Sequence, residues 1–440
     1  MAAPPLLRTF AMRARHISQT CQPRGPRPFN YTNDATHCNR RSSKNSHFHH
    51  KQARVLPPAA IALVILGTAT YLLTSSSRTS TILNETTFVP YTITARDAIS
   101  PSSVLFTISP HQRHEPPPPP YLLPQSTRWR YPLWSVEFKQ PEVQIARHYT
   151  PLPPQQDEDR RDGKLRFYVR AVGGGEMSNY LLRLRVGNEV YLRGPHPGFD
   201  ILGRLGACKN VVFLAGGTGV VPGMQVAVAV LEGDESSQVK LLWAVRKREE
   251  IQSVAFLTQQ QQQQQKPAWW KVWTATTRPA PMEITTDLEN PSAMARELMR
   301  LKARFGQRLH IRLAVDEERT RFTAQDVQSA LRSCEENGPS HSHAVVVDNG
   351  CPLHDQLLHT QISEFEDPRA ACQCRDVGSD SRLSGKNLFM VSGPDGFIAH
   401  YAGEKMWLNG ARAQGPVEGV AGQLQRRDPS LSRNWLVLKL

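Results

Sequence analysis

The apolar run Val211–Leu214 passes straight into Ala215-Gly216-Gly217-Thr218-Gly219, and the chain leaves that turn through Met224–Leu231, which has helical composition. A short uninterrupted apolar run is what a strand buried on both faces requires. A glycine turn between such a strand and a helix opens a parallel α/β unit. Further buried strands are predicted at Lys240–Val245, His310–Val315 and Asn387–Val391, so the second half of the chain reads as an α/β parallel-sheet domain. The region before it has another rhythm. Phe88–Thr94, Ser103–Ser109, Trp134–Phe138, Lys164–Val172 and Glu189–Arg193 are short β-type runs separated by turn residues, with the polyproline segment Pro116–Pro120 among them. Several short strands, Gly/Pro turns and no long helix predict a small antiparallel β-barrel.

These two patterns divide the chain into a barrel over 82–204 and an α/β domain over 205–440. The second domain is interrupted by the polyglutamine tract Gln259–Gln265, by the charged, helix-like stretch Asn290–Phe305 and by the polar stretch Ser333–Leu383 with its apolar patch Ala344–Val347. We read 253–305 and 325–385 as low-complexity insertions, because polar tracts of this kind cannot build a core.

The formal net charge of +14 is uneven: up to Arg54 the sole acidic residue is Asp34, against a run of arginines and lysines. An Arg-rich, Ser-containing, acid-poor segment over 1–54 has the composition of a mitochondrial targeting sequence, with Leu6–Ile17 able to form a basic amphipathic helix. A basic tail that binds nucleic acid or anionic lipid is the competing reading. With that tail set aside, the charge argument for nucleic acid weakens, and no nucleic-acid partner is expected. Val55–Leu73 is uncharged and apolar, and 55–77 reads as a single transmembrane anchor, a buried core helix being the alternative. Basic residues precede the run and few follow it, which places the large C-terminal part across the membrane from the tail. The 7 cysteines are odd in number and irregular in spacing, so they form no disulfide framework, and Cys372-Gln-Cys374 lacks the second pair a zinc site needs; no metal is expected.

Four constellations carry the chemistry, in this order. Arg147-His148-Tyr149-Thr150-Pro151 ends a barrel strand. An arginine beside a Tyr-Thr pair offers a phosphate a charge, a ring something to stack on and one hydroxyl, which together suit a flavin nucleotide. His148 is expected on the opposite face of the strand, because side chains alternate. Tyr168-Val169-Arg170 is followed by Gly173-Gly174-Gly175-Glu176-Met177-Ser178, a loop that can turn its amides inward, with Ser178 opening a short helix Asn179–Arg183 whose N-terminus would bind a pyrophosphate. A hairpin turn with an N-cap serine fits the same residues. Gly216-Gly217-Thr218-Gly219-Val220-Val221-Pro222 allows a dinucleotide to approach the edge of the sheet, although it is not a GxGxxG fingerprint. Ser392-Gly393-Pro394 follows another buried strand and suits the floor of a nicotinamide site.

In this order the constellations resemble the ferredoxin–NADP reductase superfamily, in its cytochrome-b5 reductase-like branch. The resemblance implies FAD as cofactor and NADH or NADPH as electron donor. It implies that Arg147 pairs with FAD phosphate, Tyr149 packs on the flavin and Thr150 bonds near its reactive nitrogen. It further implies that Tyr168 and Arg170 hold the FAD tail, that Gly174, Gly175, Met177 and Ser178 hold the pyrophosphate, and that Gly216, Gly217, Thr218, Gly219, Pro222, Gly393 and Pro394 border the nicotinamide. The chain is also similar to the fungal mitochondrial cytochrome c import and maturation factors of this branch. That likeness implies an inner-membrane anchor, a flavin domain facing the intermembrane space, and haem or the cytochrome c maturation machinery as partner. Thr150 and Ser392 are the residues expected at the reacting atoms. The branch usually has cysteine where this chain has Ser392, which puts its rate of hydride transfer in question. A general cytochrome-b5-type reductase and a flavin-bearing assembly scaffold are the alternatives.

Overall fold

The computed structural model describes residues 83–111, 132–205, 208–253, 280–336, 386–408 and 411–440. The targeting segment, the anchor run, the polyproline and polyglutamine tracts, the patch at 344–347 and Cys372-Gln-Cys374 lie outside these residues. Among the described residues no helix is long and apolar enough to cross a membrane.

The first sheet is built from β1 (Val89–Ser100), β2 (Ser103–Pro110), β3 (Trp134–Gln140), β4 (Ile145–Tyr149), β5 (Leu165–Arg170) and β6 (Glu189–Pro197). Its order is β4-β3-β6-β1-β2-β5, and every pairing is antiparallel. Burial alternates along β3, where Trp134, Val136 and Phe138 turn inward, as a pleated strand with one wet face demands. These side chains join Tyr91, Ile93, Val104, Phe106, Phe167, Val190 and Leu192 in one core, which helix α1 (Glu176–Arg183) closes with Met177 and Leu181.

The second sheet contains β7 (Asn210–Gly216), β8 (Gln238–Val245), the two-residue β9 (Met282–Glu283), β10 (Leu309–Val315), β11 (Asn387–Ser392) and, past a small hairpin of β12 (Met406–Leu408) and β13 (Ala411–Ala413), β14 (Trp435–Lys439). The order is β14-β11-β7-β8-β10-β9. All pairs are parallel except β9 with β10, so the sheet is mixed rather than purely parallel. Its helices are α2 (Val220–Gly233), α3 (Ala293–Phe305), α4 (Ala324–Glu336), α5 (Asp395–Ala402) and α6 (Gly419–Arg427). From β7 the chain winds one way through β8 and β10, then returns to add β11 and β14 on the other side. The reversal between β7 and β11 opens a crevice at their C-terminal ends, where ligands of open α/β sheets bind.

The reading of 290–305 and 325–336 as insertion is corrected here. Helix α3 is capped by Ser292, whose Oγ accepts the Ala295 N–H at 3.1 Å, and it buries Met294, Leu298, Leu301 and Phe305. Helix α4 buries Val327 and Leu331. In each helix a narrow apolar stripe sits among many charges, so average composition hides an amphipathic period that packing selects.

The two sheets share a core. Ile99, Leu105, Leu133, Leu152 and Tyr168 from the barrel region pack in the same apolar cluster as Val220, Met224, Trp243 and Leu298. Polar pins cross the seam. Buried Gln225 accepts the Trp134 N–H at 3.0 Å and donates to the Pro151 carbonyl at 2.8 Å. Arg166 on β5 pairs with Glu297 on α3 at 2.7 Å, with both side chains buried.

Candidate active site

The crevice between β7 and β11 is made by two turns pressed together. A Cβ on Gly219 would lie 2.5 Å from the Ser392 carbonyl oxygen, and one on Gly216 would lie 3.0 Å from the Phe397 ring. Gly217 takes φ +56°, a conformation that favours glycine, and its carbonyl accepts the buried Trp243 indole N–H at 2.9 Å. The glycines therefore serve contact between the two turns as much as approach of a ligand. Gly216, Gly217 and Pro394 stand back from the cavity wall, whereas Thr218, Gly219, Pro222, Ser392 and Gly393 line it. Pro394 instead caps α5, its carbonyl accepting the amides of Phe397 at 2.8 Å and Ile398 at 3.1 Å.

The barrel supplies the facing wall. Arg147, Tyr149 and Thr150 sit at the end of β4. The Tyr149 ring meets Phe138 edge-on at 5.3 Å, and burial, opposed by Arg147, pushes its hydroxyl pKa up to about 12. Arg147 is exposed, with Nη1 donating to the Ala146 carbonyl at 2.7 Å, so its charge faces solvent and the cavity. His148 turns to the other face of the strand, with Nδ1 3.4 Å from Ser135 Oγ and its ring edge-on to His196 at 4.9 Å, and it also reaches the cavity rim.

Below them the glycine loop runs into α1. The helix starts at Glu176, earlier than the predicted Asn179, with Gly175 rather than Ser178 at the N-cap. Ser178 is buried and braces the loop: its Oγ accepts the Val172 N–H at 3.1 Å and donates to the Gly175 carbonyl at 3.2 Å. The Met177 side chain belongs to the barrel core, which leaves its backbone for the cavity. Gly174, at φ +73°, has open space where a Cβ would stand. Ile145 and Val172, which no motif flagged, also line the wall, as do Glu176 and Val221, which lie within the motifs but were given no role.

Tyr168 and Arg170 reach the cavity as well, but Tyr168 is not free to give its hydroxyl to a ligand. That hydroxyl donates to Glu250, a residue 1% exposed, and burial together with the neighbouring carboxylate raises its pKa well above the usual tyrosine value. Arg170 Nη1 pairs with the same carboxylate at 2.8 Å. Glu250 was missed in the sequence because an acid in a charged turn after a strand carries no pattern.

The open cleft has a volume of about 610 Å3, within the range of small-molecule and cofactor sites (roughly 300–1,000 Å3). Its wall fits FAD: two arginines for phosphate, a glycine loop with room at Gly174, a pinned tyrosine ring, and a second wall from the α/β switch point where a dinucleotide would enter.

Known oxidoreductases resemble both halves of the described chain. Residues 133–201 match the oxidoreductase FAD-binding domain and residues 213–301 the oxidoreductase NAD-binding domain. The first match lies in the barrel and the second in the α/β domain, so the chain is similar to flavin- and nicotinamide-binding oxidoreductases in both regions that wall the cavity. It is 33% identical over 142 residues to the cytochrome c mitochondrial import factor CYC2 of Saccharomyces cerevisiae, covering 30% of this chain and 37% of that protein. It is 26% identical over 203 residues to NADH-cytochrome b5 reductase 1 of Aspergillus oryzae, covering 43% and 65%. The chain thus spans less than two thirds of the length of either relative. The solved CS-b5R domains of human Ncb5or (NAD+ form) align at TM-score 0.40 and 15% identity over 82% of this chain and 71% of that one.

Proposed function

We propose that this protein passes electrons from NADH, through FAD held in the cavity, to haem or a haem protein, in support of haem attachment to cytochrome c in mitochondria. The observation that carries the reading is the convergence of all four constellations, from both domains, on one cavity. FAD, when bound, accepts a hydride from a dihydronicotinamide and gives up electrons singly. The chain's own residues bind and align. Arg147 and Arg170 hold phosphate, Tyr149 offers its ring, and Thr150 and Ser392 bracket the place where the reacting atoms meet. No side chain is needed as acid or base for that transfer, so alignment and exclusion of water are the protein's contribution.

NADH is favoured over NADPH by the name of the Aspergillus oryzae relative, while the turn after β8 carries both charges. Arg248 forks onto Glu318, and Asp316, Glu317 and Glu318 stand together after β10, beside β8 in the sheet. Arg246 on the same turn is exposed and Lys247 pairs with Glu249 at 3.5 Å, so a ribose 2′-phosphate there would meet charges of both signs. The names of the two relatives support the donor and the mitochondrial role, and the 1–54 and 55–77 segments support an inner-membrane anchor with the flavin domain in the intermembrane space. Ser392 in place of cysteine favours a second reading, a flavin-bearing assembly scaffold with little turnover.

The test is an absorbance spectrum of the purified full-length chain, before and after anaerobic NADH or NADPH. A flavin spectrum bleached by NADH supports the reductase, and faster reoxidation by haem than by cytochrome b5 supports the haem role. A flavin spectrum that resists both donors supports the scaffold. Absence of flavin refutes both.

A further inference from the structure

On β5, Arg166, Tyr168 and Arg170 alternate onto one face. That face meets the α/β domain: Arg166 pairs with Glu297, while Tyr168 and Arg170 converge on Glu250. The Glu250 end of the second cluster is sealed, whereas the Arg170 side chain remains 18% exposed and lines the cavity. Glu250 is itself fixed from behind. Its backbone carbonyl accepts Ser292 Oγ at 2.6 Å, and that same oxygen caps α3. On the cavity side, a Cβ on Gly217 would stand 3.5 Å from Arg170 Nη1, and the Gly217 carbonyl is held by Trp243. Arg170 thus lies between a carboxylate of the α/β domain, the dinucleotide turn and the open cavity.

A buried ion pair is a poor device for stability alone, because the desolvation cost of both charges offsets their attraction. A guanidinium has five donors in a rigid fork, however, and can give one edge to a carboxylate while presenting the other to a phosphate. We propose that Glu250 is a positioning residue for FAD: it holds the Arg170 guanidinium in place for the FAD pyrophosphate, so that flavin affinity in the barrel depends on the docked α/β domain. This rests on the reading that the cavity takes FAD.

The experiment is a double-mutant cycle on the full-length chain stripped of flavin, with FAD affinity followed by quenching of flavin fluorescence and thermal unfolding of each flavin-free variant recorded alongside. Glu250→Gln keeps the shape and removes the charge. It is expected to raise the FAD Kd about tenfold or more, the loss of one charge-assisted contact's worth of alignment. In an Arg170→Ala background the same change is expected to leave the Kd unchanged within about twofold, because coupled residues are non-additive. Glu250→Asp, which retains the charge on a shorter stem, is expected to recover part of the affinity. Should Glu250→Gln fail to fold, Glu250→Asp measured in both backgrounds carries the same comparison. Equal losses with and without Arg170 would overturn the proposal, since Glu250 would then act through packing alone, as would an unchanged Kd in the single variant. Wild-type chain that takes up no FAD would instead defeat the cofactor reading itself.

Discussion

Gly219→Ala tests whether the two turns of the switch point set the nicotinamide geometry. The added Cβ would stand 2.5 Å from the Ser392 carbonyl oxygen, 2.7 Å from its carbon and 2.9 Å from the Gly393 nitrogen. All three are backbone atoms of a strand end, so no side chain can swing away. Reaching an ordinary contact beyond 3.4 Å forces one turn to retreat from the other. Overpacking of this kind costs about 1–3 kcal/mol, or a fall in thermal midpoint of about 3–9 °C for a domain pair of this size. The retreat is a displacement of ~1 Å between Ser392 and Thr218, and misplacement on that scale costs about a hundredfold in a reaction that depends on alignment. The assay is the rate of flavin reduction by NADH in anaerobic stopped flow, beside thermal unfolding. Gly396→Ala is the matched control: a Cβ there meets nothing within 4 Å on helix α5, so it is expected to stabilise by about 0.5–1 kcal/mol. A Gly219→Ala protein with a wild-type midpoint and a wild-type reduction rate would refute the reasoning.

Further outcomes follow from single contacts. Gln225→Leu removes the acceptor of the Trp134 N–H and the donor to Pro151 at the domain seam; urea unfolding is expected to show a loss of about 2–4 kcal/mol. Lys439 is 1% exposed, and burial lowers its pKa from 10.5 to about 8, while Nζ donates to the carbonyls of Glu404 and Pro416. The unfolded chain then binds the extra proton between those values, so stability is expected to rise by up to about 2 kcal/mol from pH 8 to pH 10. That rise should vanish in Lys439→Met; a flat wild-type profile would contradict it. Ser392→Cys introduces the side chain that the resemblance leads one to expect there, and a faster flavin reduction by NADH is expected, with unchanged FAD content by absorbance. An unchanged rate would show that the side chain at 392 does not limit hydride transfer.

Much of the site was legible because its signals are local. A glycine turn after an apolar run, an Arg-x-Tyr-Thr string and a Gly-Gly loop are each set by neighbours in sequence, and side-chain alternation placed His148 on the far face of β4 from Tyr149. The stretch 290–305 reads as helix-like, but its many charges outweigh its apolar stripe in composition and hide that it packs as part of the domain, and β14 closes the sheet beyond the last motif recognised.

The sequence by itself determined most of the barrel strands, the four central strands of the second sheet, where the chain turns from one sheet type to the other, and which residue types a flavin and a nicotinamide would call for. Only the tertiary structure decided what those residues are free to do. Folding gave Tyr168's hydroxyl to Glu250, drew Ser178 into bracing its own loop, buried Met177 in the barrel, and set Gly219 against Ser392. Each of these contacts except the Ser178 brace joins residues far apart in the chain, and no periodicity along a sequence encodes which distant partner will claim a hydrogen bond.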